Sequence, residues 1–365
     1  MFNFIEAIVV ANLMLVVGCL IMWMFELAGR YTPFRHAYKL RLNLAIAALC
    51  ATTLPIVLAP LSGALSTLLS VNVDDIFIAQ YLKGNVSLSA TQVSDVLSVK
   101  DNFIDYIVNP GSIVSYCLIG AFVIAAFSRA IYIIINIIRA AKLIESADQM
   151  KNTKRISVRI SEDTETPFST RCLFKYYVVL PAAIKSDKKT MNIAMGHEAQ
   201  HIRQQDVTWE IFVTLLSPLF VLNPAFWVIS DRVRRFREYS CDTAYLDKAR
   251  CKKRDYCMLL LDTAERAARQ KEVAMAGSVP FWGREGTFSR SNKSALHQRV
   301  IAMASQTQLN QNFLRRVNLL PAVVLIVASS AMVVFISKPV DWSHDRIMLS
   351  TVVNLESLNR INNSE

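Results

Sequence analysis

Four long apolar stretches constrain the fold of this chain more than any other feature of its sequence. A helix needs about 20 residues to cross the roughly 30 Å hydrocarbon core of a bilayer. The stretches that reach this length are residues 5–27, 42–61, 113–138 and 317–336. Hydrophobic residues make up 53% of the chain and charged residues only 19%, a balance that is rare in soluble domains. The sequence therefore predicts an integral membrane protein with four transmembrane helices.

The charges beside these stretches predict their orientation, because Lys and Arg are enriched in cytoplasmic loops. The loop "RYTPFRHAYKLR", between the first two stretches, holds four basic residues and no acid, and basic residues also follow the third stretch and precede the fourth. By contrast, residues 62–111 contain five Asp against two Lys. We therefore expect both termini and residues 62–111 to lie outside, and residues 139–316 to lie in the cytoplasm.

This topology divides the chain into six segments. They are two transmembrane helices with a short cytoplasmic loop (1–61), an extracytoplasmic loop (62–111), a third transmembrane helix (112–138), a cytoplasmic domain (139–316), a fourth transmembrane helix (317–337) and a short extracytoplasmic tail (338–365). The cytoplasmic segment holds roughly 30 Lys plus Arg against 18 Asp plus Glu, and such a basic surface suits anionic lipid headgroups. It carries no nucleic-acid-binding motif, so we expect no direct binding to nucleic acid.

The stretch "MGHEAQHIRQQD", residues 195–206, contains an HExxH pattern. Residues four apart share one face of a helix, so His197 and His201 can present two imidazoles to one metal ion. Glu198 can then act as a general base toward a metal-bound water. The alternative is a pair of surface histidines, but the chain has only five His, which makes the pattern unusual by chance. The pattern predicts a zinc site, and the chain contains no CxxC pair that would predict a thiolate site instead.

A third ligand is predicted downstream in "RRFREYSCDTAYL", because catalytic zinc usually has three protein ligands. Glu238 and Asp242 are again four residues apart, which lets Glu238 reach the metal while Asp242 orients a ligand histidine. The alternative for Glu238 is a surface ion pair with Arg234 or Arg235. The apolar residues 207–230, which separate the two halves of the site, could form a fifth span by hydropathy. A span would separate Glu238 from His197, so we predict a helical hairpin that is buried in the domain or re-enters the membrane on the same side.

The chain resembles the bacterial membrane zinc metallopeptidases of the beta-lactam sensor-transducer, or antirepressor, type. The resemblance rests on the four apolar stretches, on "TPFSTRCLFKYYVVLP" at residues 166–181, on the "GHEAQH" helix and on "NPAFW" leading to "REYSCD". It implies a gluzincin-type zinc peptidase domain of α+β class with a small sheet, attached to a mainly α-helical membrane protein of the bacterial inner membrane. The strands expected beside the zinc helix are "KRISVRIS" and "KYYVVLP", whose edge could accept a peptide.

The resemblance also implies the site: one Zn²⁺ per chain held by His197, His201 and Glu238, with Glu198 as the base and Asp242 in support. The segment "LHQRVIAM" resembles a further family segment and contains His297 and Arg299. Either residue is a candidate for contacting the oxyanion or the substrate, and a surface helix is the alternative for both.

The chain departs from the family after residue 336, where about 29 residues remain and no SxxK motif of a penicillin-binding domain occurs. We therefore expect an activating signal to arrive through the outer loop, the tail, the transmembrane helices or a separate sensor partner. The predicted function is regulated cleavage of a protein or peptide substrate in the cytoplasm, such as a transcriptional repressor, with membrane lipids and a second copy in a homodimer as further partners. The alternatives are a housekeeping CAAX-type or quality-control membrane protease and a non-catalytic transducer with a structural zinc site.

Overall fold

The computed structural model describes most of the segments that surround the predicted site. The described residues are 4–29, 37–58, 73–96, 98, 113–172, 174–248, 252–274, 292–304, 327 and 347–355. They divide into two compact units. The first unit comprises Met1–Leu20, Ala47–Ile124 and Leu319–Glu365, and the second comprises Ile21–Ile46 and Ala125–Asn318.

Three of the four predicted membrane stretches coincide with helices. These are α1 (Phe4–Gly29), α2 (Tyr38–Leu58) and α5 (Ile113–Ser146). Within the described residues, two segments are long and apolar enough to cross a bilayer, Ala7–Leu27 and Tyr116–Ser146. The fourth predicted stretch, 317–336, lies outside the described residues except for Val327. Only 6% of the α5 span is buried against protein, so its apolar surface faces outward.

The first unit contains a small apolar cluster outside these long helices. It is formed by α3 (Val73–Leu82), α4 (residues 90–96) and α11 (residues 347–355). Ile78, Val93 and Leu349 are buried together, and Phe77 and Val353 pack against them. The predicted outer loop and the predicted tail therefore share one packed structure.

Among the described residues, the second unit contains a four-stranded mixed sheet followed by five α-helices. The strands are β1 (Asp148–Asn152), β2 (Ile156–Ser161), β3 (Phe168–Cys172) and β4 (Lys175–Pro181), in the order β1-β2-β4-β3. β2 and β4 pair in parallel, whereas β1 and β3 pair antiparallel with β2 and β4 respectively. The helices are α6 (Lys188–Arg203), α7 (Asp206–Leu216), α8 (Pro224–Lys248), α9 (Lys253–Ala274) and α10 (Asn292–Ala304).

The sheet corrects one expectation. "KRISVRIS" and "KYYVVLP" do form strands, β2 and β4, but both lie in the middle of the sheet, so neither offers an edge to a peptide. Their apolar side chains explain this position, because Val158, Val178 and Leu180 are buried in the core. The same core takes residues from α6, α9 and α10, including Ile193, Tyr256 and Met303. The edge strand beside α6 is β3.

Candidate metal centre

Helix α6 carries the HExxH residues on one face. It begins at Lys188, after Asp187, whose side chain accepts a hydrogen bond from the Lys189 backbone N–H at 2.9 Å and so caps the helix. The Nε2 atoms of His197 and His201 lie 3.1 Å apart. Two donors on a tetrahedral zinc ion with Zn–N distances near 2.05 Å are separated by about 3.3 Å. The two imidazoles are therefore spaced and aimed as a pair of metal ligands.

Helix α8 brings Glu238 to the same point. Its Oε1 lies 3.7 Å from Nε2 of His201, and its Oε2 lies 3.9 Å from Nε2 of His197. The two arginines that were the alternative ion-pair partners of Glu238 lie beside other acids. Arg235 pairs with Asp231 at 2.9 Å, and Arg234 lies 4.0 Å from Glu210. The described residues thus place two imidazole nitrogens and one carboxylate around a single point, and this donor set fits zinc.

His201 is oriented by an acid that the sequence did not reveal. Asp206 Oδ2 lies 2.8 Å from His201 Nδ1, and both side chains are buried. Gln205 adopts a left-handed conformation with φ 60°, so α6 ends and α7 begins at Asp206 within a two-residue turn. That turn directs the carboxylate back at the histidine. The contact fixes the Nδ1 proton on His201 and leaves Nε2 free for a metal.

His197 is oriented by a different group. The Tyr256 hydroxyl lies 2.8 Å from His197 Nδ1 and donates a hydrogen bond to Asp242 Oδ1 at 2.6 Å. Asp242, predicted to orient a ligand histidine, lies 3.8 Å from His197 Nδ1. Its effect on His197 is therefore transmitted by the buried tyrosine of α9. Sequence spacing gave no indication of Tyr256, which is 59 residues from His197.

Arg299 lies beside both acids of α8. Its Nε and Nη2 atoms donate hydrogen bonds to Asp242 Oδ2 at 2.8 Å and Oδ1 at 2.6 Å, and its Nη1 lies 3.2 Å from Glu238 Oε2. The guanidinium therefore holds Glu238 and Asp242 in fixed positions. His297, two residues earlier on α10, is exposed.

Glu198 is buried next to the two imidazoles. Burial raises the pKa of its carboxyl, and the nearby His201 and a hydrogen bond from Ser169 oppose that rise. Ser169 belongs to edge strand β3. The predicted base is thus located between the metal ligands and the open edge of the sheet. A carboxyl with a raised pKa suits a group that accepts and then returns a proton near neutral pH.

The charges of the ligands differ strongly. Burial, His201 and Arg299 lower the pKa of His197 to about 3. Although burial opposes it, the charge of Glu238 and the hydrogen bond that His201 donates to Asp206 raise the pKa of His201 well above its usual value of 6.5. Burial also opposes ionisation of Glu238, but Arg299 and the histidines lower its pKa to about 2. Without a metal, the site therefore holds one neutral imidazole, one imidazolium and a carboxylate.

Cys241 is a competing donor near the same histidines. Its Sγ lies 3.8 Å from Nδ1 of His197, and its thiol contacts the His197 carbonyl at 3.7 Å. Burial raises the pKa of this thiol to about 12, so it keeps its proton. His197, His201 and Cys241 could group around a metal, and so could His197, Glu238 and Asp242. The Nε2 atoms point toward Glu238, which favours the set of two histidines and that glutamate.

Comparison with known proteins agrees with the geometry of the site. A family model described as BlaR1 peptidase M56 matches residues 6–303. The match extends from the first apolar helix through the HExxH helix, Glu238 and Arg299. No curated protein matches the chain.

Proposed function

The chain belongs to the BlaR1 peptidase M56 family, and on this premise we propose that it is a membrane-bound zinc endopeptidase acting on the cytoplasmic side. The observation that carries the proposal is the convergence of His197, His201 and Glu238 beside the buried carboxyl of Glu198. A structural zinc site usually has four protein ligands and needs no base. The combination of three ligands with a neighbouring carboxyl supports catalysis over a purely structural role.

The residues divide the work of peptide hydrolysis. His197, His201 and Glu238 would hold the zinc ion, which when bound supplies Lewis acidity toward the scissile carbonyl and lowers the pKa of water. Glu198 accepts the proton of the attacking water and delivers it to the leaving amine. Asp206 and Tyr256 keep each imidazole in the tautomer that leaves Nε2 available.

The open edge of β3 supports an extended substrate. β4 pairs with β3 on one side, and the described residues provide no strand on the other. An extended peptide can add to such an edge through backbone hydrogen bonds. Ser169 on β3 contacts Glu198, so a peptide bound along this strand would pass directly in front of the base.

The first unit supports the multi-pass topology. Leu349 in the tail packs with Ile78 and Val93 of the outer loop, which supports a tail and a loop on the same side of the membrane. That arrangement needs an even number of crossings between α4 and α11. Helix α5 would account for one crossing, and residues 317–336 are long and apolar enough for the other. The excess of Lys and Arg in residues 139–316 supports a cytoplasmic location for this segment.

The proposed substrate class is a cytoplasmic protein whose cleavage transmits a signal. Family membership supports a repressor as that substrate, with a sensor partner or a second copy of the chain as the source of the trigger. A housekeeping role predicts many unrelated substrates, whereas a signalling role predicts few.

The test compares new protein N-termini in cells that express the wild-type chain, Glu198→Gln or Glu162→Gln. Glu162 is an exposed glutamate at the end of β2, so its substitution is the matched control. We expect the wild type and Glu162→Gln to generate the same new N-termini, Glu198→Gln to generate none, and all three to bind zinc equally. The same N-termini from Glu198→Gln with zinc bound would refute the enzymatic proposal.

A further inference from the structure

We infer that residues 215–228, which comprise the end of α7, the turn after it and the start of α8, are inserted into the hydrocarbon of the bilayer next to α5, and we call this segment the hairpin tip. The inference concerns an interaction surface whose occupant is lipid acyl chains. It depends on contacts within the second unit, and not on the catalytic activity proposed above.

The hairpin tip presents large apolar side chains to its surroundings. Leu215 and Leu222 are 60% and 59% exposed, and Trp227 and Val228 are 40% and 42% exposed. Exposed apolar clusters of this kind mark protein or membrane interaction sites.

The position of the tip along α5 identifies the membrane as that surface. Arg129 of α5 donates a hydrogen bond from Nε to Ser217 Oγ at 2.9 Å, and its guanidinium lies 5.1 Å from the centre of the Trp227 ring. Arg129 precedes Arg139, the first basic residue after the apolar stretch, by ten residues, which is about 15 Å of helix. Even if the Arg129 side chain extends by one helical turn toward the membrane surface, the tip contacts α5 roughly 10 Å before the cytoplasmic end of the apolar stretch.

The surface of α5 beside this contact is itself apolar and exposed. Ile131, Ile134, Ile135 and Ile138 are all exposed on it. A protein partner that covered the tip would therefore have to occupy the same bilayer depth as α5. Acyl chains already cover α5 in the proposed topology, and they cover the tip without any further partner.

The ion pair between Arg232 and Glu26 gives a second marker of depth. The two side chains are 3.0 Å apart, and Glu26 lies next to Leu27, where the apolar span of α1 ends. Arg232 is therefore level with the cytoplasmic end of α1. The part of α8 that precedes Arg232, from Pro224 onward, extends from that level toward the membrane interior.

The irregular backbone of the tip is suited to hydrocarbon, where unpaired polar groups are costly. The backbone N–H groups of Ser217, Leu219 and Asn223 donate to carbonyls three residues earlier, at 3.1, 3.0 and 3.0 Å. The Asn223 side chain accepts a hydrogen bond from the Ala225 backbone N–H at 3.1 Å. The Trp227 indole donates to the Val221 carbonyl at 3.0 Å. The turn thus satisfies many of its own polar groups.

One consequence rests on the proposed function. Glu238 follows Arg232 by six residues, about 9 Å along α8, so the metal centre lies close to the membrane surface. A peptide bond that reaches it must be presented at that surface, which favours substrates that are attached to the membrane or recruited to it.

The test uses tryptophan fluorescence of the full chain in liposomes that contain brominated phospholipid, because bromine quenches a nearby indole. The chain has five tryptophans. One variant keeps Trp227 and a matched control keeps Trp209, which lies on α7 about 9 Å of helix before the first residue of the tip. In each variant the other four tryptophans are replaced by Phe. Circular dichroism verifies that both variants fold.

We expect bromines midway along the acyl chains to quench most of the Trp227 emission and far less of the Trp209 emission, and aqueous acrylamide to leave Trp227 largely unquenched. Equal quenching of the two variants by bromine would overturn the inference, as would strong quenching of Trp227 by acrylamide. Trp227 that neither agent quenches would show a tip covered by protein, and would also overturn it. A catalytically inactive chain with quenched Trp227 would refute the proposed function alone.

Discussion

Substitution of Asp206 by Asn isolates the contribution of the carboxylate behind His201. Asn has nearly the same size, and its amide oxygen can still accept the Nδ1 proton over the 2.8 Å that separates the native pair. What it removes is the negative charge, in a place where the aspartate is 4% exposed and the histidine 8%. The substitution therefore tests electrostatic support of a ligand with little change in packing.

The expected magnitude follows from this geometry. A hydrogen bond to a charged group is worth about 1.5–3 kcal/mol, and groups behind a metal ligand typically change metal affinity by about 10–100-fold. Because both partners are buried, solvent screens the interaction little. We expect Asp206→Asn to weaken zinc binding by about 10–100-fold, or about 1.4–2.7 kcal/mol.

The assay is competition for zinc between the detergent-solubilised full chain and a chromophoric chelator. Asp231→Asn is the matched control, because Asp231 forms an exposed pair with Arg235 on α8 and such pairs contribute little. Asp206 also lies at the start of α7, so its loss removes a favourable charge at a helix N-terminus and costs about 0.3–1 kcal/mol of folding stability. Thermal unfolding of the metal-free proteins measures that effect separately.

Equal zinc affinities of Asp206→Asn and Asp231→Asn would refute the role of the Asp206 carboxylate. That result would mean that His201 either does not bind the metal through Nε2 or keeps its orientation without the carboxylate. Weaker binding by both variants to the same degree would indicate a general loss of structure, and would equally remove the support for a specific role of Asp206.

Three further predictions concern the same site. Gly196→Ala would place a Cβ 2.7 Å from the Tyr245 ring. We therefore expect the substitution to lower folding stability by about 1–3 kcal/mol in denaturant unfolding. An unchanged stability would show that the ring moves freely. Tyr256→Phe removes the hydroxyl 2.8 Å from His197 Nδ1 and should weaken zinc binding by about tenfold in the chelator assay, whereas unchanged affinity would exclude Tyr256 from orienting the ligand. Since the pKa of His201 is raised well above 6.5, its proton stabilises the metal-free fold below pH 6.5 and is lost as pH rises through the folded pKa. Zinc must displace that proton, so zinc affinity should rise about tenfold per pH unit just above pH 6.5. Calorimetry in buffers of different ionisation enthalpy should detect the release of about one proton. Zinc binding that is independent of pH would contradict this prediction.

The parts of the site that the sequence revealed are those encoded by local spacing. The positions of His197, Glu198 and His201 on one helix follow from a four-residue period. The four-residue spacing between Glu238 and Asp242 made Glu238 a candidate for the third ligand. Asp206 was not predicted, because "HIRQQD" contains no Gly or Pro that would indicate a turn. The break between α6 and α7 depends instead on Gln205, which adopts a left-handed conformation. Tyr256 reaches the site only through the packing of α9, which no local pattern encodes. Arg299 was a candidate through the family resemblance, but its contacts with Glu238 and Asp242 depend on the packing of α10.

The position of the strands shows a similar limit. Alternation and β-branched residues identified β2 and β4 as strands, because these features reflect a pleated, buried backbone. They do not specify which strand is outermost. Three successive apolar residues in "KYYVVLP", Val178, Val179 and Leu180, are buried, which is typical of a strand covered on both faces. The more polar "FSTRC" of β3 takes the edge, where charged and hydroxyl side chains are tolerated.

The hairpin tip resolves two sequence signals that conflict when each is considered alone. Hydropathy of residues 207–230 requires an apolar environment. Phe220, Phe226 and Ile229 find it inside the protein, whereas Leu215, Leu222, Trp227 and Val228 remain exposed. The distances from Glu238 to His197 and His201 require both ends of the segment to lie on one side of the membrane. A transmembrane helix would provide the apolar environment but would separate Glu238 from the two histidines. A hairpin in water would keep these residues together but would expose the apolar side chains. A hairpin that enters the bilayer and returns satisfies both, which makes lipid part of the environment that assembles the metal centre.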